Sequence, residues 1–271
     1  MTSIKEAFRV LRERDEAALI AYVMAGDPAP RFTPGIVDAL IDGGADIIEL
    51  GIPFSDPIAD GPTIQAASVR ALGSGTTPLT VLRIARNIEK KHEIPIVLMT
   101  YLNPVYRMGM EKFLSAANEN GVEGLIIPDL PFEEADSYRK IAESKSIDTI
   151  FLAAPSTHPE RLNSILKYAS GFLYLVGLFG VTGARKQLQS STIELVKRFV
   201  PCTKGRIPLS VGFGVSAPDH VRALVAAGAE GVIVGSAFVK TIEQNHRNPD
   251  KAARRLKDMT RSLKTAAKRL R

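Results

Sequence analysis

The alternation of short apolar runs with segments of helical periodicity constrains the fold of this chain more than any other feature. Eight runs are rich in apolar and β-branched residues, and glycine or proline stands near most of their ends, as is typical of buried strands. They span residues 18–24, 46–50, 94–101, 124–127, 148–153, 172–176, 207–211 and 231–234. Because a helical pattern follows each run, the sequence predicts an α/β protein with a parallel sheet.

Eight strand-helix units predict a (β/α)8 TIM barrel that occupies residues 1–271 as a single domain, since such barrels typically need about 250 residues. The alternative is an open, doubly wound sheet. That sheet would need fewer strands, and the Gly-x-Gly-x-x-Gly pattern is absent after the first strand. An extra N-terminal helix is also predicted, because Ile4, Phe8 and Leu11 recur at helical spacing.

The C-terminal segment concentrates the positive charge of the chain. Residues 251–271 carry nine basic side chains and one acidic one. The net charge of this segment therefore exceeds the net charge of +6 for the whole sequence. Apolar residues recur there every three or four positions, so the segment is predicted to form a basic amphipathic helix docked on the body. Binding to RNA or to a membrane surface is disfavoured, because no aromatic residue is interleaved with the bases.

Other features bear on compartment and metal binding. No apolar run approaches the roughly 20 residues that span a bilayer, and the N-terminus lacks the apolar region of a signal peptide. The single cysteine, Cys202, cannot form an intrachain disulfide. The four histidines lack the spacing of metal ligands. We therefore expect a cytoplasmic protein without a metal and without a membrane or nucleic-acid partner.

Two carboxylates follow the second predicted strand. Glu49 lies at its C-terminal end, and Asp60 lies in the proline-rich loop that follows. Catalytic groups of such barrels gather at the C-terminal ends of the strands, so the two acids are expected at one mouth. Partial desolvation would favour protonated Glu49, which suits a group that gives and takes a proton. The structural alternatives are a Glu49 that caps backbone amides and an Asp60 that caps the helix near Pro62.

Glycine-rich turns follow the last three strands and predict a phosphate site. They are Gly180-Val181-Thr182-Gly183, Gly212-Phe213-Gly214 and Gly235-Ser236. Backbone amides at such turns can hold a phosphate without lysine, although glycine is also needed there for turn geometry. Side chains from strand ends could line an apolar space between the phosphate and the acids, or could simply pack the barrel: Tyr22, Leu98, Tyr101, Ile127 and Tyr174. A phosphorylated small molecule with a hydrophobic end would fit.

Seven segments together resemble the α subunit family of tryptophan synthase. They are Tyr22 to Pro28, residues 49–65, Tyr101 to Pro104, Pro128 to Pro131, Gly180 to Gly183, Gly212 to Gly214 and Gly235-Ser236. The resemblance implies cofactor-independent cleavage of indole-3-glycerol phosphate to indole and glyceraldehyde 3-phosphate. It implies Glu49 as general acid and base and Asp60 as the partner of the indole N–H. It further implies Tyr174 near the indole, and Gly183, Gly214, Gly235 and Ser236 at the phosphate. The predicted substrate contacts are Tyr22, Tyr101, Ile127, Tyr174 and Thr182.

The resemblance also implies a partner, the pyridoxal-phosphate-dependent β subunit, in an α2β2 complex. The loop from Pro53 to Asp60 and the loop after strand six would close over the substrate, and Asp129 would lie near the interface. The chain departs from the family pattern at Gly177-Leu178-Phe179, where many relatives carry serine, and at Met24, where threonine is frequent.

Three other readings of the sequence stay open. One is another enzyme on this scaffold, a phosphosugar isomerase or aldolase, although no lysine stands where a Schiff base would form. The second is a non-catalytic barrel that regulates a β subunit, or a binding protein with a basic tail. The third is a lyase that releases indole on its own.

Overall fold

A computed structural model describes residues 2–177 and 190–269, and its centre is a parallel sheet. The strands in these residues are β1 (Ala18–Met24), β2 (Ile47–Gly51), β3 (Ile96–Met99), β4 (Gly124–Ile126), β5 (Asp148–Ile150), β6 (Leu152–Ala153), β7 (Leu173–Val176), β8 (Leu209–Gly212) and β9 (Gly231–Val234). Their order in the sheet is β5-β4-β3-β2-β1-β9-β8-β7-β6.

The ring closes through the predicted fifth strand, residues 148–153, which is interrupted only at Phe151. Its first part, β5, pairs with β4, and its second part, β6, pairs with β7. The carbonyl of Phe151 accepts a 3.0 Å hydrogen bond from the amide of Tyr174, so the two edges of the sheet meet across the interruption. The predicted (β/α)8 TIM barrel is therefore confirmed.

Helices surround the barrel. In the described residues they are α1 (Ile4–Glu13), α2 (Thr33–Asp42), α3 (Pro62–Gly73), α4 (Pro78–Lys91), α5 (Leu102–Met108), α6 (Met110–Glu119), α7 (Asp136–Ser144), α8 (Pro159–Tyr168), α9 (Ser190–Thr203), α10 (Pro218–Ala226), α11 (Ser236–Gln244) and α12 (Pro249–Thr265). Short 3-10 turns occupy Pro30–Phe32 and Phe132–Glu134. Over residues 2–177 and 190–269, none of the helices combines the length and the apolar character that a membrane crossing requires.

The third strand and the helix after it differ from the prediction. The strand was expected over 94–101, but β3 is shorter and Tyr101 precedes the unpredicted helix α5. Proline in the first turn of a helix does not break it, because amides there have no intrahelical acceptor. Pro104, which reads as a turn signal, therefore fits the third position of α5. Gly109, with φ of +88°, then separates α5 from α6.

The extra N-terminal helix is confirmed, and it fills the N-terminal end of the barrel interior. Ile4, Phe8 and Leu11 are buried in one cluster with inward-facing strand residues such as Ile20. The rings of Phe8 and Phe172 lie 6.1 Å apart. The interior is thereby closed at this end by apolar side chains.

The predicted C-terminal helix is also confirmed. Leu256 and Leu263 of α12 are buried, and the helix packs mainly on α2. The approach is close, because a Cβ atom at Gly43 would lie 2.6 Å from the Cβ atom of Thr260. Arg254 and Arg261 are exposed, so the basic face of the helix points to solvent.

Lys264 anchors α12 to the segments just before β1 and β2 through two carboxylates. Its Nζ atom lies 2.8 Å from Asp46 and 2.9 Å from Glu16, and all three side chains are mostly buried. We expect Lys264→Met to lower the free energy of unfolding by about 2 to 4 kcal/mol, because Asp46 would lose its cation in a partly dry site and Glu16 would keep only Lys268, at 4.0 Å. Lys257→Met on the same helix removes an exposed pair with Asp42 and should cost less than about 1 kcal/mol. Urea unfolding at pH 7 measures both, and equal losses would contradict the prediction.

Candidate active site

Glu49 lies inside the barrel and has no hydrogen-bond partner among the residues that the structure describes. It is on β2, in register with Tyr22 of β1, and its side chain is fully buried. Within residues 2–177 and 190–269, neither carboxylate oxygen meets a donor. Burial, reinforced by the negative charge of Asp60, raises the pKa of Glu49 to about 8. Glu49 therefore caps no backbone amide of the described residues, and a pKa of about 8 keeps the group protonated near pH 7.

Asp60 lies beside Glu49 on the loop that leads into α3. Its carboxylate is buried, and burial raises its pKa to about 6 against the opposing effect of a hydrogen bond with Tyr101. The N-cap of α3 is Gly61, and no side chain caps that helix. Asp60 is thus not the helix cap that the alternative reading required. Two buried carboxyl groups with unlike pKa values share the site.

The loop between the two acids is fastened at several points. The hydroxyl of Ser68 on α3 accepts a hydrogen bond from the amide of Phe54 and donates one to its carbonyl, at 2.9 and 2.8 Å. The ring of Phe54 stacks on that of Tyr101 at 5.3 Å. The hydroxyl of Tyr101 in turn accepts a 3.0 Å hydrogen bond from the amide of Ala59. The position of Asp60 therefore depends on α3 and on Tyr101.

The two acids face a cavity of about 740 Å3, counted out to its open mouth. Seven of the predicted catalytic, substrate and phosphate residues line it: Tyr22, Glu49, Asp60, Tyr174, Gly214, Gly235 and Ser236. Tyr101 contacts Asp60 without lining the cavity. Ile127 lies in the core between sheet and helices, and Pro128 lines the cavity instead. Thr182 and Gly183, with the rest of that turn, are outside the described residues.

Sequence reasoning missed the apolar part of the lining, which includes Ile64, Met99, Leu152, Val176 and Ile233. Strand side chains alternate between the two faces of a sheet. Tyr22 and Glu49 mark the inward-facing positions of their strands. Taking every second residue along the strands as inward-facing would have placed several of these apolar side chains in the cavity. The burial pattern could not do so, because both faces of these strands are apolar.

The opposite side of the cavity is formed by backbone at the ends of β8 and β9. Gly214 has φ of +67°, a conformation that favours glycine, and Gly235 is the N-cap of α11. Ser236 opens that helix and lines the cavity. The first amides of a helix have no intrahelical acceptor and carry partial positive charge, so an anion is stabilised there. One cavity thus joins an end suited to an anion to an end that carries two carboxyl groups.

Phenol groups surround the acids and stay protonated. Burial first, and then the charges of Asp60 and Glu49, raise the pKa of Tyr22 well above its usual value. The pKa of Tyr174 is raised in the same way. Both hydroxyls can therefore donate or accept hydrogen bonds at any physiological pH, while the carboxyl groups are the ones that titrate.

Glycines opposite these tyrosines shape the cavity. A Cβ atom at Gly212 would lie 2.7 Å from Cε2 of Tyr174, whereas one at Gly73 on α3 would meet nothing within 4 Å. We expect Gly212→Ala to displace the Tyr174 ring, to raise the KM for a ring-containing substrate, and to cost about 1 to 3 kcal/mol of unfolding free energy. Gly73→Ala, the matched control, should leave KM and stability at least as favourable. Steady-state kinetics and thermal unfolding compare the two, and an unchanged KM in Gly212→Ala would contradict the expectation.

The pKa of Glu49 also predicts how stability depends on pH. Between pH 4.5 and about 8 the folded chain keeps a proton that the unfolded chain releases, so this group makes the free energy of unfolding fall as pH rises. Below pH 4.5 it contributes nothing. Glu49→Gln should match the parent protein at pH 4 and exceed its stability by about 4 kcal/mol at pH 8. Chemical unfolding at both pH values tests this, and a constant difference would contradict it.

Comparisons with known proteins agree with one another. A sequence profile described as "Tryptophan synthase alpha chain" matches residues 8–268. The tryptophan synthase alpha chain of Solibacter usitatus is 47% identical over 264 residues, which cover 97% of each chain. That of Methanosarcina mazei is 49% identical over 262 residues, which cover 97% of this chain and 93% of the relative.

Solved structures extend the likeness to the fold. The structure of Mycobacterium tuberculosis tryptophan synthase superimposes with a TM-score of 0.89 at 35% identity and covers 100% of both chains. The tryptophan synthase complex from Pyrococcus furiosus superimposes with a TM-score of 0.85 at 41% identity, covering 92% of this chain and 98% of that one. Profile, sequence relatives and barrel geometry coincide over almost the whole length, and the chain belongs to the tryptophan synthase alpha chain family.

Proposed function

We propose that this chain cleaves indole-3-glycerol phosphate to indole and glyceraldehyde 3-phosphate without a cofactor, with Glu49 and Asp60 as the groups that carry the reaction. The family is one of carbon-carbon lyases that act on this substrate. The observation that carries the assignment is the pair of buried carboxyl groups, with pKa values of about 8 and about 6, in one cavity with the N-terminus of α11.

Glu49 is suited to two consecutive proton transfers. In its protonated form it delivers a proton to C3 of the indole ring, which gives a cation with charge on the ring nitrogen. The resulting carboxylate then takes the proton of the hydroxyl next to the ring. The bond between C3 and the side chain breaks, its electrons return to the ring, and an aldehyde forms. Because Glu49 ends as it began, no proton is gained or lost overall.

Asp60 is suited to the intermediate cation. As an anion above pH 6, it accepts a hydrogen bond from the indole N–H and stabilises the positive charge that appears once C3 is protonated. The hydroxyl of Tyr101 holds its carboxylate, and Gln65 donates a 2.9 Å hydrogen bond to its backbone carbonyl. A fixed anion costs no reorganisation when charge develops, which is why this tethering supports the role.

The phosphate belongs at the other end of the cavity. Gly214, Gly235 and Ser236 offer backbone amides and one hydroxyl, and the first turn of α11 adds favourable partial charge. Gly183 is proposed to complete this site. The rings of Tyr22 and Tyr174 then flank the indole, between the phosphate and the acids.

A tryptophan synthase β subunit is the proposed partner, and pyridoxal phosphate is assigned to that subunit. One similar solved structure is of a tryptophan synthase complex from Pyrococcus furiosus. Apolar side chains on two segments at the C-terminal face also favour a covering protein: Ile58 and Tyr106 are each 77% exposed. The carboxylate of Asp129 accepts a hydrogen bond from the amide of Leu102 and so fixes the start of α5 on the same face.

Release of indole from indole-3-glycerol phosphate by the purified chain, with and without a β subunit, tests the proposal. Activity that rises with β supports a synthase subunit. Equal activity in both conditions would identify a lyase that works alone. A folded chain that is inactive in both would overturn the enzymatic proposal and leave a regulatory barrel.

A further inference from the structure

Arg70 of α3 links three elements at the C-terminal face of the barrel. Its Nε and Nη2 atoms each donate a 2.8 Å hydrogen bond to one carboxylate oxygen of Asp27, in the turn after β1. Its Nη1 atom donates a 2.9 Å hydrogen bond to Glu243, near the end of α11. The Asp27 side chain is fully buried, that of Arg70 is 25% exposed and that of Glu243 is 46% exposed.

The two helices that Arg70 connects hold opposite ends of the cavity. Asp60 lies just before α3, and Ser68 of α3 carries the loop through its two hydrogen bonds to Phe54. Ser236 begins α11. Between the helices, Ile64 and Ala67 of α3 pack in one apolar cluster with Val239 of α11. Apolar burial is not directional, so the ion pairs of Arg70 add an orientation that this contact lacks.

We propose that Arg70 is a positioning residue, which fixes the separation between Asp60 and the anion site at Ser236 by fastening α3 to the turn after β1 and to α11. This inference rests on the proposed function, because it concerns a substrate that spans both ends of the cavity. A ligand confined to one end should not depend on Arg70.

The chemistry of the contact requires arginine. A planar guanidinium can occupy both oxygens of Asp27 and still reach Glu243, whereas an ammonium group offers a single point of charge. Burial raises the pKa of Asp27, and the hydrogen bonds from Arg70 oppose that rise. A lysine at position 70 would therefore keep the charge next to Asp27 but lose the orientation of α3.

Three variants separate positioning from general stability. Arg70→Lys keeps the positive charge but loses the paired hydrogen bonds to the two oxygens of Asp27. Glu243→Gln leaves Asp27 paired with Arg70 and weakens only the link to α11. Arg12→Gln is the matched control, because Arg12 donates two hydrogen bonds to Glu230 at the opposite end of the barrel. Each is assayed for indole release, for binding of inorganic phosphate, and for binding of a phosphorylated indole with a three-carbon linker.

We expect Arg70→Lys to lower kcat about 10- to 100-fold, since a misplacement of about 1 Å can cost that much. Affinity for the linked ligand should fall, while affinity for inorganic phosphate stays unchanged. Glu243→Gln should show a smaller loss of the same kind, and Arg12→Gln none. The acid limb of the pH profile should move to lower pH in Arg70→Lys. Burial raises the pKa of Asp60, so water that reaches it lowers that pKa. A displaced α3 would admit water to Asp60 and Glu49, which lie among Tyr22, Tyr101 and Tyr174.

Several results would overturn the inference. The first is a wild-type kcat and wild-type ligand affinities in both Arg70→Lys and Glu243→Gln. The second is a loss of affinity for inorganic phosphate that parallels the loss for the linked ligand. The third is a loss of kcat in Arg12→Gln equal to that in Arg70→Lys. If Arg70→Lys does not fold, the two affinities of Glu243→Gln decide alone. If the wild-type chain releases no indole, the proposed function fails, but the comparison of linked ligand with phosphate still tests Arg70.

Discussion

Glu49→Gln is expected to lower the kcat of indole release by about a thousandfold, within the range found when a general acid-base group is removed. Glutamine has the size of the protonated acid and fits the same buried site, but it cannot give or take a proton. KM should change little, since the group meets the substrate mainly through the protons it transfers. A stopped assay for indole over a wide range of enzyme concentration measures the loss.

A half-buried glutamate provides the control for this experiment. Glu123 precedes β4 at the N-terminal end of the barrel, and burial raises its pKa as well. Glu123→Gln changes the same chemical group far from the cavity and should keep wild-type kcat. Glu49→Gln with more than about a tenth of wild-type activity would remove Glu49 from the mechanism, because water could not replace it so well.

Asp60→Asn is expected to lower kcat by about a hundredfold or more, which is the scale for losing one charged stabiliser of a transition state. Asparagine can still accept the indole N–H through its carbonyl oxygen. It cannot oppose the positive charge on the ring, so the loss should fall on kcat more than on KM. Asp56→Asn, at an exposed acid of the same loop, is the matched control in assays of the chain alone.

The pH profile separates the two acids. The proposed mechanism requires ionised Asp60 and protonated Glu49, so kcat/KM is expected to rise through about pH 6, fall through about pH 8 and peak between them. In Asp60→Asn the acid limb should disappear. The basic limb should move to lower pH, because the charge of Asp60 no longer raises the pKa of Glu49. A profile identical to that of the parent protein would contradict the assignment of both limbs.

The barrel and the acid pair could be predicted from sequence for physical reasons that do not extend to the rest of the site. Eight apolar runs with helical segments between them are compatible with few topologies. A carboxylate at the C-terminal end of a buried strand must then lie at the mouth of the barrel. Ile127 was expected in the cavity because it is apolar and close to a strand end. It lies in the outer core, since the pleat turns consecutive side chains to opposite faces.

Long-range partners were beyond sequence reasoning. Arg70 and Asp27 are 43 positions apart, and nothing in the residues between them marks the pair. The contact of Tyr101 with Asp60 likewise depends on where two loops converge after folding. The interruption at Phe151 was also unforeseen, because residues 148–153 read as one continuous strand.

The apolar side chains of α1 close the N-terminal end of the barrel interior, so that, in the part of the chain that the structure describes, the cavity opens at the C-terminal ends of the strands. Ile4, Phe8 and Leu11 fill this N-terminal end, so a small molecule that enters at the C-terminal ends of the strands also leaves there. Indole and the phosphorylated aldehyde would therefore depart in sequence through a shared exit. A protein seated over that exit would decide which product reaches solvent and which is handed on, without any channel through the barrel itself.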